Sequence, residues 1–179
     1  MPDYVVRDAG RNWNVIQSYK MTITELPFGQ PGRIFRSPMP FGKHDPECLV
    51  YAAYRDNDIS VIVLLAEDHE CKEKARRDLR TLYTQDGFTV VHLPIVDFGI
   101  PSVSVLREAL DVTVREAQSG RHIVIHCSAG IGRTGLFTAC LARVLLNLPG
   151  EQAIKWVRRF IPRAVETPEQ RQFVANFKF

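Results

Sequence analysis

Short runs of branched aliphatic residues alternate along the chain with segments of helical periodicity, and this alternation restricts the possible folds more than any other sequence feature. The first run, ISVIVLLA from Ile59 to Ala66, precedes apolar residues at helical spacing that end at the Asp86-Gly87 turn. The second run, FTVVHLPI, precedes a helical pattern over Ser102 to Gln118, and the third, HIVIHC, ends at Cys127. Aliphatic strands joined by helices over short connections predict a parallel sheet covered on both faces.

The segments at the two ends extend this pattern. After the third run we predict an apolar helix over about 133–147 and two further helices over about 151–161 and 168–177. Residues 1–45, which Gly and Pro interrupt, predict turns and short strands, with Arg33 to Arg36 as the best strand candidate. A chain of 179 residues suits one domain. We therefore expect a single α/β domain with a central, mostly parallel sheet flanked by helices on both faces.

Composition excludes several functional classes. The chain has 23 Lys and Arg against 20 Asp and Glu, a net charge of +3 that is too small to indicate nucleic-acid binding but suits an anionic ligand. An apolar content of 45% excludes intrinsic disorder. No apolar run approaches the roughly 18 residues that a membrane span needs, and the first residues, MPDYVVRDAGRNWNV, show no apolar signal core. We expect a cytoplasmic protein with no membrane span and no nucleic-acid partner, while its oligomeric state stays open.

The four cysteines do not share one role. Their wide spacing, at Cys48, Cys71, Cys127 and Cys140, fits neither a disulfide framework nor a zinc site. Three of them are interpreted as small hydrophobic residues without reactivity, because no cation stands near them at motif spacing. Cys127 differs, since it ends a strand and a glycine-containing turn follows it.

The turn after the third strand carries the strongest chemical signal. It reads HCSAGIGRTG from His126 to Gly135 and leads into a helix. Backbone N–H groups that converge at a helix start form an anion-binding cradle, and the same field favours a thiolate. Arg133 is placed to hold two oxygens of a phosphate, and the hydroxyl of Thr134 to reach back towards Cys127. A nucleophile inside an oxyanion cradle predicts attack on phosphorus.

HCSAGIGRTG resembles the HCxxGxxR(S/T)G signature of the cysteine-based protein tyrosine phosphatase superfamily, in the strand–turn–helix context that the motif requires. The resemblance covers roughly residues 59–177, so residues 58–179 are expected to form the catalytic core. It implies a phosphocysteine mechanism in which Cys127 is the nucleophile and Arg133 clamps the phosphate, while His126 orients the loop and favours the thiolate. The resemblance also implies a substrate-binding cradle made by Ser128, Ala129, Gly130, Ile131, Gly132 and Arg133.

The turn after the second strand supplies a candidate general acid, Asp97, within PIVDFGIP. A departing alkoxide or phenoxide needs a proton donor, and an aspartate between apolar residues can act as an acid near neutrality. Taken alone, Asp97 is equally suited to capping the helix that begins near Ser102. The segment resembles the general-acid loop of small dual-specificity phosphatases. Larger tyrosine-specific enzymes usually have Trp two residues before the acid, where this chain has Ile95, which speaks against a large hinged closure.

A third segment, VETPEQ, resembles the late loop of the family, whose glutamine positions the hydrolytic water in the tyrosine-specific enzymes. This chain has Glu166 at the first position, as some small atypical dual-specificity phosphatases do, and Gln170 at a second matching position. Glu166 is either a second acid/base group or an ion-pair partner for Arg163, and the residues leave both interpretations open. Glu169 is favoured in the first turn of a helix by the helix dipole.

The sequence therefore predicts a small atypical dual-specificity or tyrosine phosphatase that acts on phosphorylated proteins without metal or cofactor. One alternative is a phosphoinositide or inositol-phosphate phosphatase, which would be expected to carry charges inside the signature loop. Another is a pseudophosphatase, a phospho-binding module that would be expected to have lost the nucleophile, the clamp or the acid. Both are disfavoured, because the variable loop positions are uncharged and all three groups are present. The basic clusters at 72–80 and Arg158-Arg159 predict solvated helix faces.

Overall fold

Five strands form one mixed sheet in the computed structural model, which describes residues 23–179. They are Thr24–Leu26 (β1), Ile34–Ser37 (β2), Ile59–Leu64 (β3), Thr89–His92 (β4) and His122–His126 (β5). Their order in the sheet is β1-β2-β5-β3-β4, with β1 antiparallel to β2 and every other pair parallel. The predicted α/β fold with a mostly parallel sheet is confirmed. The predictions for residues 1–22 lie outside the described residues.

Seven helices accompany the sheet in the described part of the chain. They are Val50–Asp56 (α1), Asp68–Lys74 (α2), Leu79–Gln85 (α3), Val103–Gln118 (α4), Gly132–Leu145 (α5), Gly150–Val157 (α6) and Pro168–Asn176 (α7). Side-chain caps begin two of them close to the helix starts that the sequence predicts. Ser102 accepts a hydrogen bond from the N–H of Val105 at the start of α4, and Thr167 accepts one from Gln170 at the start of α7. None of the helices in residues 23–179 is long and apolar enough to cross a membrane.

The helical pattern after the first aliphatic run was interpreted as one helix, and the structure divides it into α2 and α3. Arg76 adopts a left-handed backbone conformation with φ of 54°, which ends the helical path. Asp78 then caps α3 by accepting a hydrogen bond from the N–H of Thr81. The apolar spacing runs through both helices, so periodicity alone does not reveal the break. The short helix α1 was not predicted either.

The core lies on both faces of the sheet. Val61 and Val63 of β3 pack into one cluster with residues of α4, α5 and α6, whereas Ile62 and Leu64 pack into a second cluster with residues of α1, α2 and α3. Successive side chains of a strand point to opposite faces, so a strand covered by helices on both sides is apolar throughout. Burial of each such side chain contributes about 1.5–3 kcal/mol. The parallel strands therefore present their carboxyl ends on a rigid frame.

Candidate active site

Cys127 lies directly after the central strand β5 and is 2% exposed. The turn that follows it ends where α5 begins at Gly132, and the N-cap residue Ile131 makes no side-chain capping hydrogen bond. The first N–H groups of a helix have no partner within the helix and carry its positive dipole end. The turn and the start of α5 can therefore supply the anion-binding amides expected from the sequence.

Two glycines allow this turn to fit its neighbours. Gly130 has φ of 71°, and a Cβ at this position would overlap the carbonyl oxygen of Ser37 at the end of β2. The N–H of Met39 donates to the carbonyl oxygen of Ser128 at 2.9 Å, which joins the same two segments. At Gly132 a Cβ would overlap the carboxylate of Glu166. Because these two glycines have no side chain, β2 and Glu166 can lie close to the signature loop.

His126 is fully buried and acts on the backbone of the loop. Its Nδ1 lies 3.1 Å from the carbonyl oxygen of Cys127, and its Nε2 lies 2.9 Å from the hydroxyl of Tyr83. Burial lowers the pKa of His126 to about 4, although the hydrogen bond with Cys127 opposes this shift. Since a neutral imidazole has one N–H, Nδ1 donates to the carbonyl and Nε2 accepts from Tyr83. The role of Tyr83 was missed from the sequence.

Arg133 is held in place by a second residue that sequence reasoning missed, Glu70 of α2. Nη1 of Arg133 lies 2.6 Å from Oε2 of Glu70, and Nη2 lies 2.8 Å from Oε1, with side chains only 1% and 6% exposed. Nη1 also donates to the carbonyl oxygen of Ile95 at 2.9 Å. Burial lowers the pKa of Arg133, but the hydrogen bonds to Glu70 and the charges of Cys127, Glu70 and Asp97 together outweigh burial and raise it.

Glu70 is a buried carboxylate with two cationic partners. Burial would raise the pKa of Glu70, but hydrogen bonds from Arg133 and then from Lys74 outweigh burial and lower it to about 2. Lys74 donates to Oε1 of Glu70 at 2.7 Å, and its Nζ lies 3.7 Å from Oδ2 of Asp97. The prediction of a solvated basic face is therefore wrong for Lys74, whose side chain is 33% exposed. The i,i+4 spacing of Glu70 and Lys74 was the available signal.

Asp97 faces cations in this structure. Its Oδ1 lies 3.0 Å from Nη2 of Arg133, and its side chain is 48% exposed. The flanking Val96 and Phe98 are exposed to solvent, so they do not enclose the carboxylate as the sequence suggested. The cap of α4 is Ser102, and the alternative interpretation of Asp97 as that cap is not realised.

The late loop contacts both the signature loop and the Asp97 loop. Gln170 is fully buried, accepts a hydrogen bond from the N–H of Glu166 at 2.9 Å, and donates to the carbonyl oxygen of Gly99 at 3.1 Å. The side chain of Gln170 is thus used as a link between two loops. Glu166 lies 4.0 Å from Arg163 and also lines the cleft. The structure is therefore compatible with both interpretations of Glu166, as an ion-pair partner for Arg163 and as an acid/base group. The buried hydroxyl of Thr134 has no hydrogen-bond partner within residues 23–179, and its proposed interaction with Cys127 stays a prediction.

These groups meet in a cleft of about 140 Å³. The cleft is lined by Lys43, His44, Lys74, Asp97, Phe98, Cys127, Ser128, Ala129, Gly132, Arg133 and Glu166. Gly130 and Ile131 shape the same turn without being part of this wall. Lys43 and His44, from the segment after β2, were missed because no motif marks them. Within residues 23–179 no group of three or more His, Cys, Asp or Glu side chains is arranged to hold a metal ion.

The other cysteines separate by burial. Cys71 and Cys140 are buried, and burial raises the pKa of each thiol to about 12. Both therefore behave as the unreactive residues that the sequence predicts. Cys48 is exposed, so its interpretation as a small buried hydrophobic residue is wrong. All four cysteines are free.

Comparison with known proteins decides the family. Residues 41–148 match the family model described as "Polymorphic toxin system, DSP-PTPase phosphatase". The chain belongs to this DSP-PTPase phosphatase family. The tyrosine-protein phosphatase cdc-14 of Caenorhabditis elegans is 28% identical over 155 residues, which cover 86% of this chain and 20% of that protein. The chain therefore spans about a fifth of the length of this curated relative.

Solved structures of DSP-PTPase-like proteins share the fold. The active form of Tk-PTP is 32% identical with a TM-score of 0.69, covering 82% of this chain and 91% of that one. A kinase-associated phosphatase whose catalytic-site cysteine was replaced by serine has a TM-score of 0.77 at 23% identity, covering 87% and 92%. PTPMT1 in complex with PI(5)P has a TM-score of 0.66 at 18% identity, covering 80% and 88%. The last two likenesses support the fold alone.

Proposed function

We propose that this DSP-PTPase domain is a metal-independent phosphoprotein phosphatase that hydrolyses phosphotyrosine, and also phosphoserine and phosphothreonine, through a phosphocysteine intermediate. The observation that carries the proposal is the meeting of Cys127, Arg133, Asp97 and Glu166 in one cleft at the N-terminus of α5. A cytoplasmic location and the lack of a nucleic-acid partner stay predictions from the sequence.

The proposed reaction has two steps. The Cys127 thiolate attacks phosphorus, so that an S–P bond forms, the P–O bond to the substrate breaks, and Asp97 protonates the departing oxygen. A water molecule then attacks phosphorus, the S–P bond breaks, and Asp97 takes the proton of that water as inorganic phosphate leaves. Arg133 and the amides at the start of α5 stabilise the charge on the phosphoryl oxygens in both steps.

The ion pair between Asp97 and Arg133 links substrate binding to the position of Asp97. Asp97 lies 3.0 Å from Nη2 of Arg133, and Glu70 accepts hydrogen bonds from both Nη1 and Nη2. A phosphate that binds Arg133 competes with Asp97 but leaves the buried Glu70 pair in place. We expect phosphate binding to release Asp97 towards the leaving-group oxygen, which couples binding to general-acid catalysis.

Positive side chains around the cleft also suit a second substrate class, the phosphoinositides. The variable side chains of the signature loop are uncharged, which favours phosphoproteins over inositol phosphates. However, the structure adds the cations Lys43 and Lys74 to the cleft from other parts of the chain. These groups favour highly charged substrates as well, so a phosphoinositide phosphatase is the second candidate.

The decisive experiment measures hydrolysis of p-nitrophenyl phosphate and of phosphotyrosine and phosphothreonine peptides, with and without a chelator. We expect Cys127→Ser to abolish turnover while retaining peptide binding, and Asp97→Asn to reduce kcat by about 10²–10⁴ for poor leaving groups. Cys48→Ser is the matched control, because Cys48 is exposed and does not line the cleft.

Three results would contradict the proposal. Appreciable turnover by Cys127→Ser would exclude a thiolate nucleophile. A larger loss in Glu166→Gln than in Asp97→Asn would assign the acid to the late loop. A tenfold preference in kcat/KM for a phosphoinositide over every phosphopeptide would favour the second candidate.

A further inference from the structure

Arg36 of β2 carries a charge that no acidic side chain of residues 23–179 neutralises. None of the ion pairs in this part of the chain involves Arg36. Its side chain is half-buried, and its buried Nε has no hydrogen-bond partner there. Because a cation that is withdrawn from water without a partner is destabilising, packing alone does not account for Arg36.

The register of the sheet places Arg36 beside the catalytic cysteine. Arg36 is the parallel partner of Ile125 in β5, and Cys127 follows Ile125 by two residues. Ile125 and Cys127 pack in one core cluster, which also contains Ile34 of β2. Because alternate residues of a strand share a face, Arg36 lies on the same side of the sheet as Ile34. The long side chain of Arg36 therefore starts next to Cys127 and on the same face.

The signature loop rests on the residues that directly follow Arg36. A Cβ at Gly130 would overlap the carbonyl oxygen of Ser37, and the N–H of Met39 donates to the carbonyl oxygen of Ser128 at 2.9 Å. Arg36 itself is not among the residues that line the catalytic cleft. Its charge therefore acts on the loop from behind, without contact with a phosphate in the cleft.

Arg36 and Cys127 interact through their charges. Burial lowers the pKa of Arg36, and a negative charge on Cys127 opposes this shift. Electrostatic coupling between two groups is reciprocal, so the charge of Arg36 favours the thiolate form of Cys127 by the same amount.

The other charged or titratable side chains around Cys127 leave this role open. They are the cations Lys43, Lys74 and Arg133, the carboxylates Asp97 and Glu166, and the imidazoles His44 and His126. The charge of Arg133 is already offset by Glu70 at 2.6 Å and Asp97 at 3.0 Å, and Lys74 pairs with Glu70 at 2.7 Å. Arg36 has no such partner within residues 23–179, so its field on Cys127 is not offset by a paired carboxylate.

We propose that Arg36 is a positioning residue of the active site, whose charge holds Cys127 as a thiolate near neutral pH from behind the signature loop. This inference rests on the proposed role of Cys127 as the nucleophile. It adds a second cation to the site, which activates the nucleophile and does not bind the substrate. Arg133 clamps the phosphate, whereas Arg36 prepares the group that attacks it.

The test measures the rate at which iodoacetamide alkylates Cys127 across a range of pH, because the thiolate is the reactive form. Every protein carries Cys48→Ser, since Cys48 is exposed, and mass spectrometry of the peptide with Cys127 reports the rate. Arg36→Met removes the charge and keeps an unbranched side chain, whereas Arg36→Lys keeps the charge. Arg33→Met is the matched control, because it removes a guanidinium three residues earlier that pairs with Glu25 at 2.7 Å. Arg36→Gln repeats the neutralisation with a polar side chain, in case Arg36→Met does not fold.

We expect the pH of half-maximal alkylation to rise by about one unit in Arg36→Met, as on loss of an opposite charge, and to keep its wild-type value in Arg36→Lys and Arg33→Met. Below that pH, kcat/KM for p-nitrophenyl phosphate should fall by about tenfold in Arg36→Met, since one pH unit corresponds to tenfold less thiolate. Urea unfolding gives a second readout. At neutral pH, Arg36→Met should cost more stability in the presence of Cys127 than in Cys127→Ser, where no thiolate can form.

Equal alkylation midpoints in the wild type and in the neutral variants of Arg36 would overturn the proposal. A shift of the same size in Arg33→Met would also overturn it, because net charge alone would then explain the effect. A stability cost of Arg36→Met that is the same in Cys127→Ser would assign Arg36 a purely structural role. Failure of the underlying function is distinguishable, because the wild type would then not hydrolyse p-nitrophenyl phosphate, while the alkylation midpoints can still be compared.

Discussion

Replacing Glu70 with glutamine removes the charge that holds Arg133 while keeping the length of the side chain. The carboxylate accepts hydrogen bonds of 2.6 and 2.8 Å from Arg133 and one of 2.7 Å from Lys74. Glutamine keeps one acceptor oxygen, but its NH₂ group would face a donor. Arg133 would then have Asp97, at 3.0 Å, as its remaining carboxylate partner.

The size of the effect follows from the pKa of Glu70. A fall from 4.5 to about 2 corresponds to about 3 kcal/mol of stability. The folded-state pKa lies below the unfolded one, so this stabilisation is fully present above about pH 4.5 and is lost as the pH falls towards 2. Because glutamine retains one hydrogen bond, we expect Glu70→Gln to lower the free energy of unfolding by about 2–3 kcal/mol at pH 7. The difference from the wild type should shrink below pH 4.5.

Urea unfolding at pH 7 and at pH 3 measures this difference, and hydrolysis of p-nitrophenyl phosphate measures its effect on the site. We expect kcat/KM to fall by about 10–100-fold, since a freed Arg133 loses its orientation towards phosphate. Glu116→Gln is the matched control, because it breaks a more exposed pair of 2.7 Å with Arg121 and should cost less than about 1 kcal/mol. The reasoning is refuted if Glu70→Gln matches this control, or if its stability difference is the same at both pH values.

Three further substitutions test other parts of the site. Tyr83→Phe should cost about 1–2 kcal/mol in urea unfolding, because Nε2 of the buried His126 loses its hydrogen-bond partner; an unchanged midpoint would show that this hydrogen bond does not stabilise the fold. Gln170→Leu should lower kcat several-fold on phosphopeptides, since it removes the hydrogen bond from the late loop to the Asp97 loop and the one within the late loop, and wild-type kcat would exclude this positioning role. Gly130→Ala should abolish phosphatase activity, because its Cβ would overlap the carbonyl of Ser37 on a backbone with positive φ; an active variant would contradict the loop geometry.

The local pattern of the sequence was sufficient to predict the main strands and the signature loop of this protein. The aliphatic runs predicted β3 and β5, because strands covered on both faces are largely apolar, and they also predicted the half-buried edge strand β4. The signature loop was also recognisable in the sequence, since its cysteine, glycines and arginine lie within ten consecutive residues. The break between α2 and α3 was not readable, because it depends on the backbone at Arg76 while the apolar spacing continues through both helices.

The electrostatics of the site depended on packing between distant segments. Glu70 and Arg133 are 63 residues apart, and nothing in the spacing of α2 indicates that its carboxylate turns inwards to meet the signature loop. Lys43 and His44 reach the cleft from the segment after β2. Periodicity along one element reports which face of that element is buried, but not which charged group the next element presents to it. The sequence therefore predicted the nucleophile and its cradle, whereas tertiary packing decided which charges surround them.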